Sequence, residues 1–215
     1  MSKKSKKIGI MVTNGSEDIE LFTPIDILKR AGAEIELYAV CENISHSQPI
    51  VITRSGTKVI CDKSLYDKSQ SKIIKHLEKL DCVVIPGGQI LEGFGFNKEI
   101  NKLPKPLTNL RKVLLSKIHD KDFLLASICA STGVVLEKWG IITPEKYKYT
   151  GYPGTSKNIS GAPYEICMPK NKAALVSANS PSSAITFSLF LASVLYGTNK
   201  SDQIANDILF FEKLY

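Results

Sequence analysis

Phe123-Leu-Leu-Ala-Ser-Ile-Cys129-Ala-Ser-Thr-Gly133 is an apolar run that stops at one cysteine, followed by small residues and a helix-like segment, Val134–Lys138. It reads as a buried strand, a tight turn and a helix, with Cys129 at the turn. A thiol at that point sits beside the unpaired backbone N–H groups of a helix N-terminus, which favour the thiolate. A buried structural cysteine fits the same residues, because free cysteine is among the most buried residue types. The stretch alone leaves both readings open.

Outward from this turn, strand-like runs alternate with amphipathic helices. Lys7–Val12 reads as a first strand, followed by a helix over Glu17–Ala31 with Gly32 at its C-cap. In that helix Ile19, Phe22, Ile25, Ile27 and Leu28 include the three- and four-residue spacings of a helical face. Glu34–Val40 reads as a strand, Ile50–Thr53 and Thr57–Cys61 as a hairpin, Ile73–Leu80 as a helix and Cys82–Ile85 as a buried strand. Pro86-Gly87-Gly88 stops that strand, and Glu92–Pro106, rich in Gly, Asn, Pro and Lys, reads as a surface excursion. A helix over Leu107–Ile118 precedes the cysteine turn. Strands at Tyr164–Met168 and Ala173–Ala178 and helices at Ser182–Tyr196 and Asp202–Leu214 follow it. The alternation predicts one flavodoxin-like α/β domain over residues 7–215, with a mostly parallel sheet and helices on both faces. A basic tail over residues 1–6 precedes it.

The chain has 215 residues, 43% of them apolar, enough for a sizeable single core. No stretch approaches the roughly eighteen unbroken apolar residues of a membrane span, so no membrane partner is expected. The basic start, Met1–Lys7, leads into an apolar run too short for a signal peptide. The five cysteines, Cys41, Cys61, Cys82, Cys129 and Cys167, form no C-x-x-C pair and no metal-ligand cluster, so no metal is expected. Their odd number and apolar surroundings suit free thiols in the cytoplasm. Cys41 and Cys82 read as core, Cys167 as buried, Cys61 as a strand end, and Trp139 as a core or interface aromatic. The net charge of +7 comes from dispersed lysines, without the Arg-rich stripes or interleaved aromatics of a nucleic-acid module.

In an open parallel sheet the reactive crevice lies beyond the carboxyl ends of the strands. Three segments carry polar or glycine chemistry at that edge: Thr13–Glu20, Pro86–Gln89 and Cys129–Thr132. Glu17 and Asp18, in a helical first turn, are ordinary partners of the helix dipole. Glu20 faces either solvent or the crevice, and periodicity does not decide which. Gly87-Gly88 lets backbone N–H groups approach a neighbour closely, or simply makes a tight turn. It matches neither a dinucleotide nor a P-loop fingerprint.

Gly15-Ser-Glu-Asp-Ile-Glu20, Pro24–Gly32, Val83-Val-Ile-Pro-Gly-Gly88 and Ala126-Ser-Ile-Cys-Ala-Ser-Thr-Gly133 together resemble the ThiJ/PfpI superfamily. The resemblance is to the branch of the parkinsonism-associated deglycase and its bacterial ThiJ-like relatives. Tyr149-Thr-Gly-Tyr-Pro153 and Ser180–Phe187 fall where that branch has comparable segments, and the likeness runs from Lys7 to Tyr196. It implies a reactive Cys129 on a strained elbow, with the Glu20 carboxyl hydrogen-bonded to it. The backbone N–H groups of Gly88 and Ala130 would form the anion pocket, with Gly87 and Tyr152 as lining candidates. It further implies a homodimer and no cofactor. For Tyr152, plain aromatic packing is the simpler reading.

A carboxylate beside a thiolate is a like-charge pair whose protonation equilibria couple. That logic predicts a raised pKa for Glu20 and a depressed one for Cys129. One departure from the family pattern stands out. Gly151-Tyr152-Pro153 occupies the segment where many members place a histidine, and His46, His76 and His119 lie outside any matching motif. The resemblance implies cofactor-independent chemistry on a reactive dicarbonyl or an early glycation adduct. The alternative is an oxidative-stress sensor or chaperone using the same thiol. Peptidase chemistry fits poorly because Ala130 stands where a histidine would follow the cysteine, and class I glutaminase chemistry because no histidine follows Cys129.

Overall fold

The computed structural model describes residues 5–42 and 48–210. Its strands are β1 (Lys7–Val12), β2 (Glu34–Ala39), β3 (Ile50–Ile52), β4 (Lys58–Ile60), β5 (Lys63–Ser64), β6 (Cys82–Ile85), β7 (Leu124–Ile128), β8 (Tyr164–Cys167) and β9 (Ala174–Ala178). Its helices are α1 (Asp18–Ala31), α2 (Gln70–Glu78), α3 (Lys105–Lys117), α4 (Ala184–Tyr196) and α5 (Thr198–Asp207). Of the expected tail, residues 1–4 lie outside the described residues, as do His46 and residues 211–215 of the expected last helix. Lys6 is described and pairs with Asp81 at 3.7 Å.

Seven strands form one sheet in the order β5-β2-β1-β6-β7-β9-β8, parallel except for β8 against β9. The chain steps one way from β1 to β2 and the other way from β6 to β7. Right-handed crossovers therefore place α1 and α3 on opposite faces. Accordingly α1, α4 and α5 pack together as one group, and α2 with α3 as another. The central strands β6, β7 and β9 are buried along their whole length, as expected for a sheet covered on both faces. The reversal between β1 and β6 opens the crevice.

The antiparallel hairpin β3–β4 lies outside the sheet. Asp18, in the first turn of α1, accepts bonds from Thr53 Oγ1 at 2.7 Å and Ser55 Oγ at 2.6 Å, which pins the hairpin turn to the helix. Among the described residues, no helix is long and apolar enough to cross a membrane.

Two expectations are corrected, and one expected helix takes a particular form. The excursion is not purely surface: Phe94 is fully buried, its ring centroid 6.0 Å from that of Trp139, and Leu103 is also buried. Two apolar anchors are hidden in a polar composition. Cys41 and Cys167 are half-buried rather than fully buried, because Cys41 falls just beyond β2 and Cys167 lies on the edge strand β8. The segment after Cys129 is π-helical over Thr132–Glu137, a wide helical turn common near functional sites.

Candidate active site

Two elements meet at the crevice. At the start of α1 the Glu17 side chain acts as N-cap, accepting the Glu20 N–H at 2.8 Å. The inner face of this helix then carries Glu20, Leu21, Pro24, Ile27, Leu28 and Ala31. Pro24 has no N–H to give the Glu20 carbonyl four residues back, so the helix lacks a rung at the residue that bears the carboxyl. Glu20 is 0% exposed. Its Oε2 accepts the Gly87 N–H at 2.7 Å, and its Oε1 is buried without a hydrogen-bond partner.

Opposite it, β7 ends in Cys129, whose φ of +63° is in the left-handed region. For a residue with a Cβ that conformation costs about 1–3 kcal/mol and persists only where neighbours hold it. They do. The Cys129 N–H donates to the Ala178 carbonyl at 2.8 Å, and the Cys129 carbonyl accepts the Tyr152 N–H at 2.9 Å. Ser131 Oγ lies 2.6 Å from the Ile85 carbonyl and accepts the Ile128 N–H at 3.1 Å, locking the elbow to β6. A Cβ on Gly87 would lie 2.7 Å from Cys129 Cβ and 2.7 Å from Glu20 Oε2, so the three residues close on one another only because Gly87 has none.

The electrostatics are those of a coupled pair. Burial pushes the Glu20 carboxyl up to about 7, against the pull of hydrogen bonding to Cys129 and Gly87. Burial pushes the Cys129 thiol up to about 12, and the charge and hydrogen bond of Glu20 act in the same direction. The N–H groups of Ala130 and Gly88 pull it back. The expected depression of the thiol pKa is overturned, because burial is the largest influence on Cys129. Beyond burial, the charge and hydrogen bond of Glu20 raise it further, so the two groups titrate as a coupled pair. With Glu20 protonated its repulsion vanishes, and the Ala130 and Gly88 amides act against burial to lower the thiol pKa.

Glu20, Cys129, Gly87 and the N–H groups of Gly88 and Ala130 thus converge at one point. Tyr152 is 51% exposed, so neither burial nor core packing describes its ring; its backbone is what meets the elbow. His76, near the end of α2, and His119, just after α3, lie toward the opposite edge of the sheet from Cys129. Arg54 was not legible as a site residue. It stands in the hairpin turn, and its charge favours the ionised form of Glu20. Also unannounced was the bond from Asn158 Nδ2 to Glu137 Oε1, 2.7 Å, which ties the segment after Tyr152 to the elbow helix. Among the described residues, no group of three or more His, Cys, Asp or Glu side chains is placed to hold a metal.

Fold and site together define a flavodoxin-like α/β domain built around a strand–cysteine–helix elbow. The chain belongs to the DJ-1/PfpI family, whose model matches residues 6–193. It is 28% identical over 211 residues to Protein DJ-1 homolog A of Arabidopsis thaliana, covering 97% of this chain and 48% of that one. The chain thus spans less than half of that relative's length. It is 25% identical to protein dj-1beta of Drosophila melanogaster, covering 95% of this chain and 97% of the other. The structure of oxidized Toxoplasma gondii DJ-1 superposes with a TM-score of 0.74 at 29% identity, covering 97% of this chain and 100% of that one.

Proposed function

We propose that this protein is a cysteine-dependent, cofactor-independent enzyme acting on methylglyoxal or on early glycation adducts. The observation that carries this reading is the buried Glu20 carboxyl, raised to about 7, beside a thiol held on a left-handed elbow. A group that titrates near neutrality is suited to both give and take a proton at working pH. Family membership is consistent with this activity and with a redox role.

In the proposed reaction the Cys129 sulfur adds to the aldehyde carbon, and the Glu20 proton passes to the new alkoxide, giving a hemithioacetal. The Glu20 carboxylate then takes the hydrogen from that carbon as a proton, leaving an enediolate with its charge on the neighbouring oxygen. Glu20 returns the proton to the neighbouring carbon, and the hydroxyl proton of the first carbon passes to the second carbon's oxygen, which produces a lactyl thioester. Water hydrolyses the thioester to lactate and restores the thiol. The Gly88 and Ala130 N–H groups face the sulfur and would stabilise negative charge developing beside it. No histidine is required.

The alternative, an oxidative-stress sensor or chaperone, uses the same residues. It is favoured by the similarity to a DJ-1 whose structure is that of an oxidized form. A sulfinate on Cys129 would accept the same two amides and the Glu20 proton. We further propose a homodimer formed through α1 and the hairpin. Ile19 and Phe22 on the outer face of α1, and Ile52 and Ile60 on the outer face of β3–β4, are exposed on elements joined through Asp18. The free thiols fit a cytoplasmic setting.

The test is lactate formation from methylglyoxal, followed by NMR without added thiol, for wild type, Cys129→Ser and Glu20→Gln. Lactate from wild type alone supports the enzyme. Aldehyde loss without lactate overturns it and leaves the sensor reading.

A further inference from the structure

We infer that the carboxyl edge of the sheet carries a second ligand site, separate from Cys129, shaped for a small zwitterion of the amino-acid class. A cavity of about 310 Å3 opens there beyond β1, β2 and β5, a volume within the range of small-molecule pockets. Its walls come from the ends of those strands and from the Glu92–Pro106 excursion; Cys129, Glu20 and Ala130 do not line it. The Gln89 N–H donates to the Gly15 carbonyl at 2.8 Å, and Ser16 bridges Gly88, so a backbone strap divides the two sites.

The floor is built. Thr13 Oγ1 donates to the Val40 carbonyl at 2.7 Å, and Asn14 Oδ1 accepts the Ile52 N–H at 2.9 Å. The outer wall is anchored by buried Phe94 and by the Lys138 ammonium, which donates to the Phe96 carbonyl. Other groups lining the cavity remain unengaged. Among the described residues, the side chains of Glu42, Tyr66, Gln89, Glu92 and Lys98 form no hydrogen bond or ion pair within the chain. The Tyr66 phenol, raised to about 12 by burial and then by the charge of Glu42 and by Cys41, marks these three as neighbours.

The ligand class follows from the charges. Two carboxylates, Glu42 and Glu92, and one ammonium, Lys98, line the cavity. A simple cation leaves Lys98 unmatched, and a simple anion meets two like charges. An α-ammonium on the carboxylate side with a carboxylate toward Lys98 satisfies both, while the Tyr66 ring, Pro104 and Leu107 offer surface for a side chain. A polyphosphate is disfavoured by the net negative lining.

The test is titration of the uniformly 15N-labelled full chain with each of the twenty amino acids. Putrescine and glutarate serve as probes carrying one sign of charge only. Ligands are used at about 10 mM, above the dissociation constants that a few polar contacts sustain. We expect at least one amino acid to shift the Gly93 and Gly95 amides. That binding should weaken at least about tenfold in Lys98→Met and in the exposed double variant Glu42→Gln/Glu92→Gln, and persist in Cys129→Ser. Absence of any amino-acid binding overturns the inference. So does binding restricted to putrescine or glutarate, or a response centred on Gly87 and Gly88 that disappears in Cys129→Ser.

Discussion

Glu20 Oε2 and the Gly87 N–H are joined across the crevice by a 2.7 Å hydrogen bond, between residues far apart in the chain. This bond fixes which way the carboxyl faces and leaves Oε1 as the oxygen free to carry a proton. A carboxyl so placed is held rather than merely buried, and its titration is coupled to that of Cys129.

Replacing Glu20 with Gln keeps an acceptor for Gly87 but removes the transferable proton. Lactate formation should fall by about two to four powers of ten, the usual worth of a general acid–base. Cys129 should still be alkylated by iodoacetamide. Loss of alkylation together with turnover would point to collapse of the elbow instead.

The raised Glu20 pKa also makes stability depend on pH. A carboxyl with a folded-state value near 7 and an ordinary value of 4.5 favours folding fully below 4.5, and the benefit is lost as pH rises through 7. The gap corresponds to about 3 kcal/mol. In a Cys129→Ser background, adding Glu20→Gln should therefore become progressively more stabilising between pH 4.5 and 7. Denaturant unfolding at several pH values measures it, and a flat difference contradicts the assignment.

Gly87→Ala should destabilise the fold by about 1–3 kcal/mol and abolish turnover, because its Cβ has no space between Glu20 and Cys129. Gly32→Ala is the control. Its Cβ meets nothing, but the φ of +95° strains any side chain, so stability falls while activity persists. Unfolding curves paired with lactate assays separate the two.

Phe22→Glu combined with Ile60→Glu should convert a wild-type dimer to a folded monomer in sedimentation velocity. Both side chains are exposed, at 41% and 59%, so neither change burdens the core. A monomeric wild type would remove the homodimer from the account.

Much of the fold was legible because the central strands are buried on both faces and read as unbroken apolar runs. Cys82–Ile85 is recovered to the residue, and Leu124–Ile128 within one. Gly32 marks the end of α1 by its left-handed cap. The direction of Glu20 was not legible, because a charged residue between apolar neighbours fits either face until Gly87 supplies a donor. The excursion misled for a related reason: Phe94 and Leu103 are sparse anchors in a polar segment. The depressed thiol was misjudged because burial, the largest influence on Cys129, raises a thiol's pKa and outweighs the amides at the turn. Arg54 and Asn158 act through contacts distant in sequence, and no local pattern announces such contacts.

The central claim is that Glu20 and Cys129 share one proton near neutrality, with the charge on sulfur. The most direct measurement is the iodoacetamide alkylation rate of Cys129 against pH, in wild type and in Glu20→Gln. The account predicts a midpoint near 7 in wild type, moving upward in Glu20→Gln, where a weaker amide donor replaces the carboxyl proton. A rate that rises only toward pH 12 in wild type would mean that the carboxylate keeps the charge and the thiol its proton, and the proposed nucleophile would be wrong.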